Sequence, residues 1–251
     1  MNFNKVKNNF NSKGFVVIKN LFNKSTIKNL LNDKERIVEN LILKGKVKKK
    51  TAFHKTKDGK VNTIHNIQNF SKNSFAVKLS KSKKILSLTN KILNGETKMR
   101  NVEYFLKPKK TGMPAPFHQD NYYWNIEKAK AVNVWIACSK SSKKNGGLIY
   151  LEKSHKHGII NHKISYAPGS SQKIDDKKLK KLKFRRVCPS INPGDIIIHH
   201  ANVIHGSLAN KSSYDRVGCV MSFKIKKAKI IHKKFKKYKE SVKKNINKIY
   251  N

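Results

Sequence analysis

Three residues of this chain could together hold a divalent metal: His118 and Asp120, one residue apart, and a histidine far downstream. In an extended segment residues i and i+2 point to the same side. The imidazole and the carboxylate of His118-Gln119-Asp120 can therefore converge on one point. Two histidines and a carboxylate on one face of an octahedron form the facial triad of non-haem iron(II) oxygenases, with open positions for a bidentate 2-oxo acid and dioxygen. A His-x-Asp on its own is common. The stretch Pro193-Gly194-Asp195 through His199 and His200 to His205-Gly206-Ser207 and Arg216 says more. His205 is the preferred third ligand because Gly206 and Ser207 leave room beside a metal. His199 and His200 compete for that role, lie nearer the start of the strand and are read as structural. If the chain reverses around Asn210-Lys211, antiparallel pairing sets Arg216 opposite His205. A guanidinium there could grip a carboxylate in a bidentate pair that lysine cannot reproduce.

These residues need a scaffold of short strands. Met99–Lys107, Ala131–Cys138, Leu148–Leu151, Phe184–Cys188, Asp195–His200 and Arg216–Ile225 carry the apolar, β-branched character of strands. Pro193-Gly194 and Asn145-Gly146-Gly147 are turns. Before them, Gly14–Ile18 reads as a strand, and a helix capped by Ser25 shows a face of Ile27, Leu30, Leu31, Val38, Leu41 and Ile42. A second helix spans roughly 82–94 and stops at Gly95. Residues 45–70 read as polar and irregular, and 161–183 as a lysine-rich inserted loop. One oxygenase-sized domain, 1–225, is expected, with a helical part at about 1–96 and a β core at about 97–225. Residues 226–251 form a lysine-rich tail with helical spacing.

Composition narrows the function classes. Lysine and arginine number 57 against 14 acidic residues, a formal net charge of +43. That balance predicts weak, salt-sensitive binding to polyanions. Specific nucleic-acid recognition is not expected, because only five of the cations are arginine, the better reader of phosphates and bases, and the lysines are spread along the chain. The three cysteines form no CxxC pair, which argues against a disulfide framework and for a reducing, cytoplasmic setting. No signal-peptide-like run and no membrane-length apolar stretch is present.

Taken in order, Gly14–Lys19, Phe105-Leu-Lys-Pro108, Phe117-His-Gln-Asp120, Trp135-Ile-Ala137, Asn145-Gly-Gly-Leu148, Ser154-His155, Gly194-Asp195, His205-Gly-Ser207 and Arg216 resemble the phytanoyl-CoA dioxygenase family over most of the chain. One departure is Glu152-Lys153, where the family often has Pro-Gly. The resemblance implies a mainly β fold: a double-stranded β-helix, or jelly roll, with flanking N-terminal helices. It implies iron(II) on His118, Asp120 and His205, and 2-oxoglutarate as cosubstrate with Arg216 as its carboxylate clamp. Gln119, Trp135 and Ser207 are implied to line the cosubstrate pocket. The implied reaction couples oxidative decarboxylation of 2-oxoglutarate to hydroxylation of a small molecule by dioxygen. Because Asp120 is present, hydroxylation is favoured over halogenation. Tyr122, Tyr123 and Trp124 are candidates for a substrate wall. Asn133, two positions from Trp135 on one strand, shares its face and is a candidate for contact with cosubstrate or substrate. Two other classes stay open, a nucleic-acid-directed oxygenase of the same metal type and a non-catalytic cupin-like binding protein.

Overall fold

Strand alternation sorts most of this chain into two faces, one packed on helices and one turned into a barrel. The computed structural model describes residues 2–47, 52–167, 170–232, 236 and 238–240. Its strands are β1 (Phe15–Ile18), β2 (Phe53–Lys55), β3 (Val61–Ile64), β4 (Thr97–Lys107), β5 (Ala115–His118), β6 (Ala131–Ala137), β7 (Leu148–Leu151), β8 (His162–Ala167), β9 (Ser170–Ile174), β10 (Arg186–Val187), β11 (Ile196–His200), β12 (His205–Ser207) and β13 (Arg216–Ile225). Its α-helices are α1 (Phe3–Lys13), α2 (Lys24–Ile37), α3 (Phe75–Ser80), α4 (Lys83–Leu93), α5 (Asp120–Trp124) and α6 (Asp176–Lys181). The large sheet runs β1-β11-β6-β13-β4-β3-β2, the small one β10-β7-β12-β5, and β8-β9 form a separate hairpin. Every pairing is antiparallel. This is the expected jelly roll.

The outer face of the large sheet, with Val102, Tyr104, Val134, Ile136, Met221 and Phe223, packs on Leu30, Ile37, Ile85 and Ile92 of α2 and α4. A smaller inner cluster draws Trp135, Ile197 and Val220 from the large sheet and Tyr150 from the small one, which ties the two sheets together. At the entry to β11, the buried Asp195 carboxylate accepts from the backbone N–H groups of Asn20 and Asn192, both at 2.8 Å, and from Lys19 Nζ at 2.9 Å. Burial opposes its ionisation, but these donors hold its pKa below the ordinary value. Gly194 before it has φ +92°, and a Cβ there would sit 2.3 Å from the Phe22 carbonyl, so only glycine fits this turn.

Several expectations change. The strand read at Gly14–Ile18 is β1, but the part expected to be otherwise helical also supplies β2 and β3 to the large sheet. Residues 45–70 contain β2 and β3, disguised because the buried β3 reads Val-Asn-Thr-Ile, with two buried polar residues. Helix α1 was not anticipated; Val6 and Phe10 are its only buried side chains, too few to show a period. Asn23, not Ser25, caps α2, accepting from Thr26 N–H at 2.9 Å. The presumed loop 161–183 is the hairpin β8-β9 followed by α6. Of the tail, residues 233–235, 237 and 241–251 lie outside the described residues.

Gly218 on β13 lies under the Trp135 indole: a Cβ there would sit 2.1 Å from Trp135 Cζ2. Gly218→Ala should therefore cost about 1–3 kcal/mol, the usual range for overpacking, read as a lowered denaturation midpoint with unchanged slope. An unshifted midpoint would mean that the indole moves aside freely.

Candidate active site

The small sheet sets two histidines side by side. His118 ends β5 and His205 begins β12, and the two are direct cross-strand partners, which brings the ring centroids to 4.4 Å. Each Nδ1 faces a backbone carbonyl, Pro116 at 2.8 Å for His118 and Val203 at 3.1 Å for His205. With the proton held on Nδ1, each Nε2 is left as a lone pair. Gln119 is extended (φ −122°, ψ 126°), so Asp120, the first residue of α5, turns to the same side as His118. Asp120 Oδ1 lies 3.5 Å from His118 Nε2 and 3.8 Å from His205 Nε2. The three ligand atoms fall within 4.8 Å of one another, a spacing that one metal ion can bridge. Burial lowers the His205 pKa to about 3, so at neutral pH the imidazole is the neutral form a metal requires. Burial would raise the Asp120 carboxyl, but His205 and His118, wherever their Nε2 atoms carry a proton, and the His199 N–H outweigh that and hold it below the usual carboxylate range.

The other carboxylate oxygen of Asp120 is gripped by the large sheet. Asn133 Nδ2 on β6 donates to Oδ2 at 2.8 Å, and His199 Nε2 on β11 lies 3.1 Å from the same oxygen. Tyr150 OH lies 3.0 Å from His199 Nδ1, and Ser222 OH donates to Asn133 Oδ1. With Tyr150 donating to Nδ1, His199 presents an N–H to Asp120. All five side chains are buried. Oδ2 is thus committed to protein donors and Oδ1 is turned to the histidines.

Beyond the triad, the same cavity of about 240 Å³ ends at a pair of basic side chains. Arg216 and Lys107 are cross-strand partners on β13 and β4, 1% and 3% exposed. Like charges placed opposite one another repel. Burial, then the neighbouring Arg216, drives the Lys107 pKa down to about 6, and burial lowers Arg216 to about 10. Among the described residues neither has a carboxylate partner. Arg216 donates to the carbonyls of Gly146 at 3.0 Å and Phe105 at 3.4 Å and lies 5.5 Å from the Trp135 ring centre, while its buried Nε has no partner. An unpaired donor on a buried guanidinium beside a buried amine is suited to receive an anion. The donor set therefore fits both a metal and a carboxylate ligand.

The structure brings His118, Asp120, His205, Arg216, Ser207, Trp135, Tyr123, Trp124 and Asn133 around one cavity. Two candidates fall outside it. Gln119 does not face the cosubstrate pocket: it is buried, donates to the carbonyls of Gly158 and Asn202 at 2.7 Å and accepts from Ile160 N–H at 2.8 Å, pinning the loop behind the metal strand. Tyr122 points away and stacks on His162 at 4.1 Å. Arg216 is not a hairpin partner of His205; the two reach the cavity from different sheets. Gly206 makes no room for a metal either, since a Cβ there would meet the Ala115 carbonyl of the neighbouring strand at 2.9 Å. His199 stands at the penultimate position of β11, behind Asp120, rather than near the strand start. Sequence reasoning missed Lys107, Glu103 and Tyr238. The first two lie on the alternating inward face of β4, a usable signal. Tyr238, from the tail, lines the cavity 5.5 Å from the Tyr123 ring, and nothing local announces that.

A family model described as phytanoyl-CoA dioxygenase matches residues 10–218. A probable alpha-ketoglutarate-dependent hypophosphite dioxygenase of Stutzerimonas stutzeri is 23% identical over 209 residues, covering 81% of this chain and 72% of that protein. The peroxisomal phytanoyl-CoA dioxygenase of Homo sapiens is 25% identical over 81% of this chain and 62% of its own length. This chain thus spans less than two thirds of the human protein. Among solved structures, EctD from S. alaskensis with 2-oxoglutarate and 5-hydroxyectoine aligns over 88% of this chain and 75% of its own, with a TM-score of 0.71 and 17% identity. The epimerase SnoN in complex with Fe3+, alpha ketoglutarate and nogalamycin RO aligns over 90% and 84%, with a TM-score of 0.70 and 16% identity. At these identities the structural likeness establishes the fold.

Two measurements follow from this geometry. Asn133→Ala and His199→Leu should each weaken metal binding about 10–100-fold, the range for outer partners of metal ligands, in anaerobic titration with iron(II) or cobalt(II). His199→Gln, which keeps a donor, should recover part of the loss; unchanged affinity in both loss variants would show that Asp120 needs no support. Binding of 2-oxoglutarate should take up protons above pH 6. Lys107 is largely deprotonated there in the free protein, and a neighbouring anion raises its pKa. Binding heats should then depend on the ionisation enthalpy of the buffer, and affinity should fall as pH rises from 6 toward 9. No dependence on buffer would place the anion away from Lys107.

Proposed function

This chain belongs to the phytanoyl-CoA dioxygenase family, and on that premise we propose that it is an iron(II)- and 2-oxoglutarate-dependent dioxygenase that hydroxylates an unactivated C–H bond of a small organic molecule, releasing succinate and carbon dioxide. The observation that carries this reading is the pairing, in one cavity, of the His118-Asp120-His205 cluster with the Arg216-Lys107 basic pair.

His118, Asp120 and His205 would hold the iron, and Arg216 with Lys107 would receive the far carboxylate of 2-oxoglutarate. When bound together, iron and 2-oxoglutarate supply the oxidising chemistry, drawn from dioxygen and the decarboxylation of the cosubstrate. What this chain contributes is orientation and exclusion of water. His118 and His205 sit on adjacent strands and Asp120 is locked from behind, so the three side chains would hold a metal together from fixed positions and leave the rest of its coordination to cosubstrate and dioxygen. The Trp135 indole flanks Arg216 and keeps the cation pole dry. No side chain has to serve as a general acid or base. The presence of Asp120 as a carboxylate ligand favours hydroxylation over halogenation.

His118→Ala, Asp120→Ala and His205→Ala should each abolish iron-dependent succinate formation while the far-ultraviolet circular dichroism stays native. Arg216→Lys should raise the 2-oxoglutarate requirement by roughly tenfold or more, the size of one lost bidentate contact, with little change in the iron requirement. Full activity of His205→Ala would overturn the assignment and leave His199 as the alternative ligand.

A further inference from the structure

The inward face of β4 carries Lys107, Phe105, Glu103 and Asn101 in turn, and all four line the cavity. Four residues of strand separate Lys107 from Glu103, roughly 13 Å. The cavity therefore has two poles. The cationic one, Lys107 with Arg216, suits a dicarboxylate. The other is built around a carboxylate in a chain with only 14 acidic residues.

At that second pole, Glu103 Oε1 lies 2.8 Å from His65 Nδ1, and each side chain is 15% exposed. His65 is braced edge-on by Phe105 at 5.8 Å and by His54 at 5.4 Å. The second oxygen of Glu103 has no hydrogen-bond partner among the described residues. Close by on the lining, Asn62 uses its carbonyl oxygen to accept from Met113 N–H at 2.9 Å. Arg100, stacked over the Trp124 ring at 4.4 Å, fixes that wall and lies near enough to Glu103 to interact with its charge, though it makes no hydrogen bond to it. An apolar chain entering here would strip water from Glu103 and His65 and offer no partner in return. A group bearing an N–H or O–H would satisfy the waiting oxygen.

We infer that Glu103 is a specificity-determining residue, accepting a hydrogen bond from an ammonium or hydroxyl group of a small polar substrate. His65 positions it by donating from Nδ1. Anchored there, the substrate shares one cavity with the His118-Asp120-His205 cluster. This inference rests on the oxygenase reading and selects within it: amino alcohols, amino acids and polyols are fitting substrates, and long-chain acyl thioesters are not.

The test uses the full chain, loaded anaerobically with iron(II) and 2-oxoglutarate. Its charge-transfer absorption is followed while amino alcohols, amino acids, polyols and straight-chain acyl-CoA thioesters are added. Succinate release is then measured for every compound that perturbs the spectrum. The amino alcohols, amino acids and polyols should be the compounds that bind, and Glu103→Leu should weaken them about tenfold or more. The spectrum and affinity for 2-oxoglutarate should be the same in wild type and variant, which also verifies that the variant is folded. Glu103→Gln separates the two donor types: ammonium compounds should lose about tenfold or more, hydroxyl compounds about threefold or less. Hits among acyl thioesters, hits among the other three classes indifferent to Glu103→Leu, or no hit among those classes would each overturn the inference. A wild-type protein that forms no iron–2-oxoglutarate complex would instead remove the oxygenase reading beneath it.

Discussion

Asp120 is a charged side chain in a place where charge is costly, and the arrangement of both sheets follows from making that charge tolerable. Taking a carboxylate out of water costs several kcal/mol unless donors replace the lost solvent. Here Asn133 and His199 replace it on one oxygen. The histidine pair of the small sheet faces the other. The carboxylate thus bridges the two sheets of the jelly roll. Its partners have partners of their own, Ser222 behind Asn133 and Tyr150 behind His199, so the polar network ends in groups that are satisfied. A buried network of this kind is stable only when complete. That is a reason for a barrel interior with so many polar positions to hold one geometry.

The same logic, with its sign reversed, describes the far end of the cavity. Lys107 and Arg216 are buried basic side chains in direct register, with only backbone carbonyls to receive them. The protein keeps this arrangement although it lowers both pKa values. The cost is recovered when a dianionic ligand arrives. A pocket that is electrostatically unfinished without its ligand discriminates strongly against neutral molecules of the same shape. Glu103, at the other pole on the same strand face, marks where the demand for positive or donor character lies.

The parts of the fold that sequence made legible are those in which apolar residues keep a period. β4, β6, β7, β11 and β13, and helix α4, stand close to their expected bounds, and α2 ends at Ile37 where a π-helical turn over Val38–Leu43 carries the rest of the expected face. The missed elements lack that contrast. β3 buries Asn62 and Thr63, and the hairpin β8-β9 and helix α6 are written in lysine, serine and glutamine. The convergence of His118, Asp120, His205 and Arg216 on one cavity was legible because their side-chain types narrow what they can do. The site was not legible where function depends on which strands pair. Arg216 meets Lys107 rather than His205 because β13 pairs with β4 and β6 while β12 pairs with β5 and β7. His199 reads as a structural histidine until β11 is set beside β6 and brings it onto Asp120. Gln119, whose place in the motif resembles a cosubstrate contact, is used up by three backbone groups.

The cation excess takes on a different meaning once the contacts are known. Each of the five arginines makes a specific contact. Arg216 closes the anion pole, and Arg100 stacks on Trp124 at the cavity wall. Arg186 lies over Phe117, Arg36 bonds Asp33 and Ser71, and Arg185 faces Glu152. Among the described residues lysine, by contrast, largely fills exposed positions, with Lys107 and Lys224 as buried exceptions. A planar guanidinium with several fixed donors is used where geometry matters, and a hydrated, flexible ammonium where only solubility does. The net charge therefore describes the protein's exterior and its ionic-strength-dependent encounters with polyanions. The chemistry is set by the few charges, Asp120, Arg216, Lys107 and Glu103, that the fold places around one cavity.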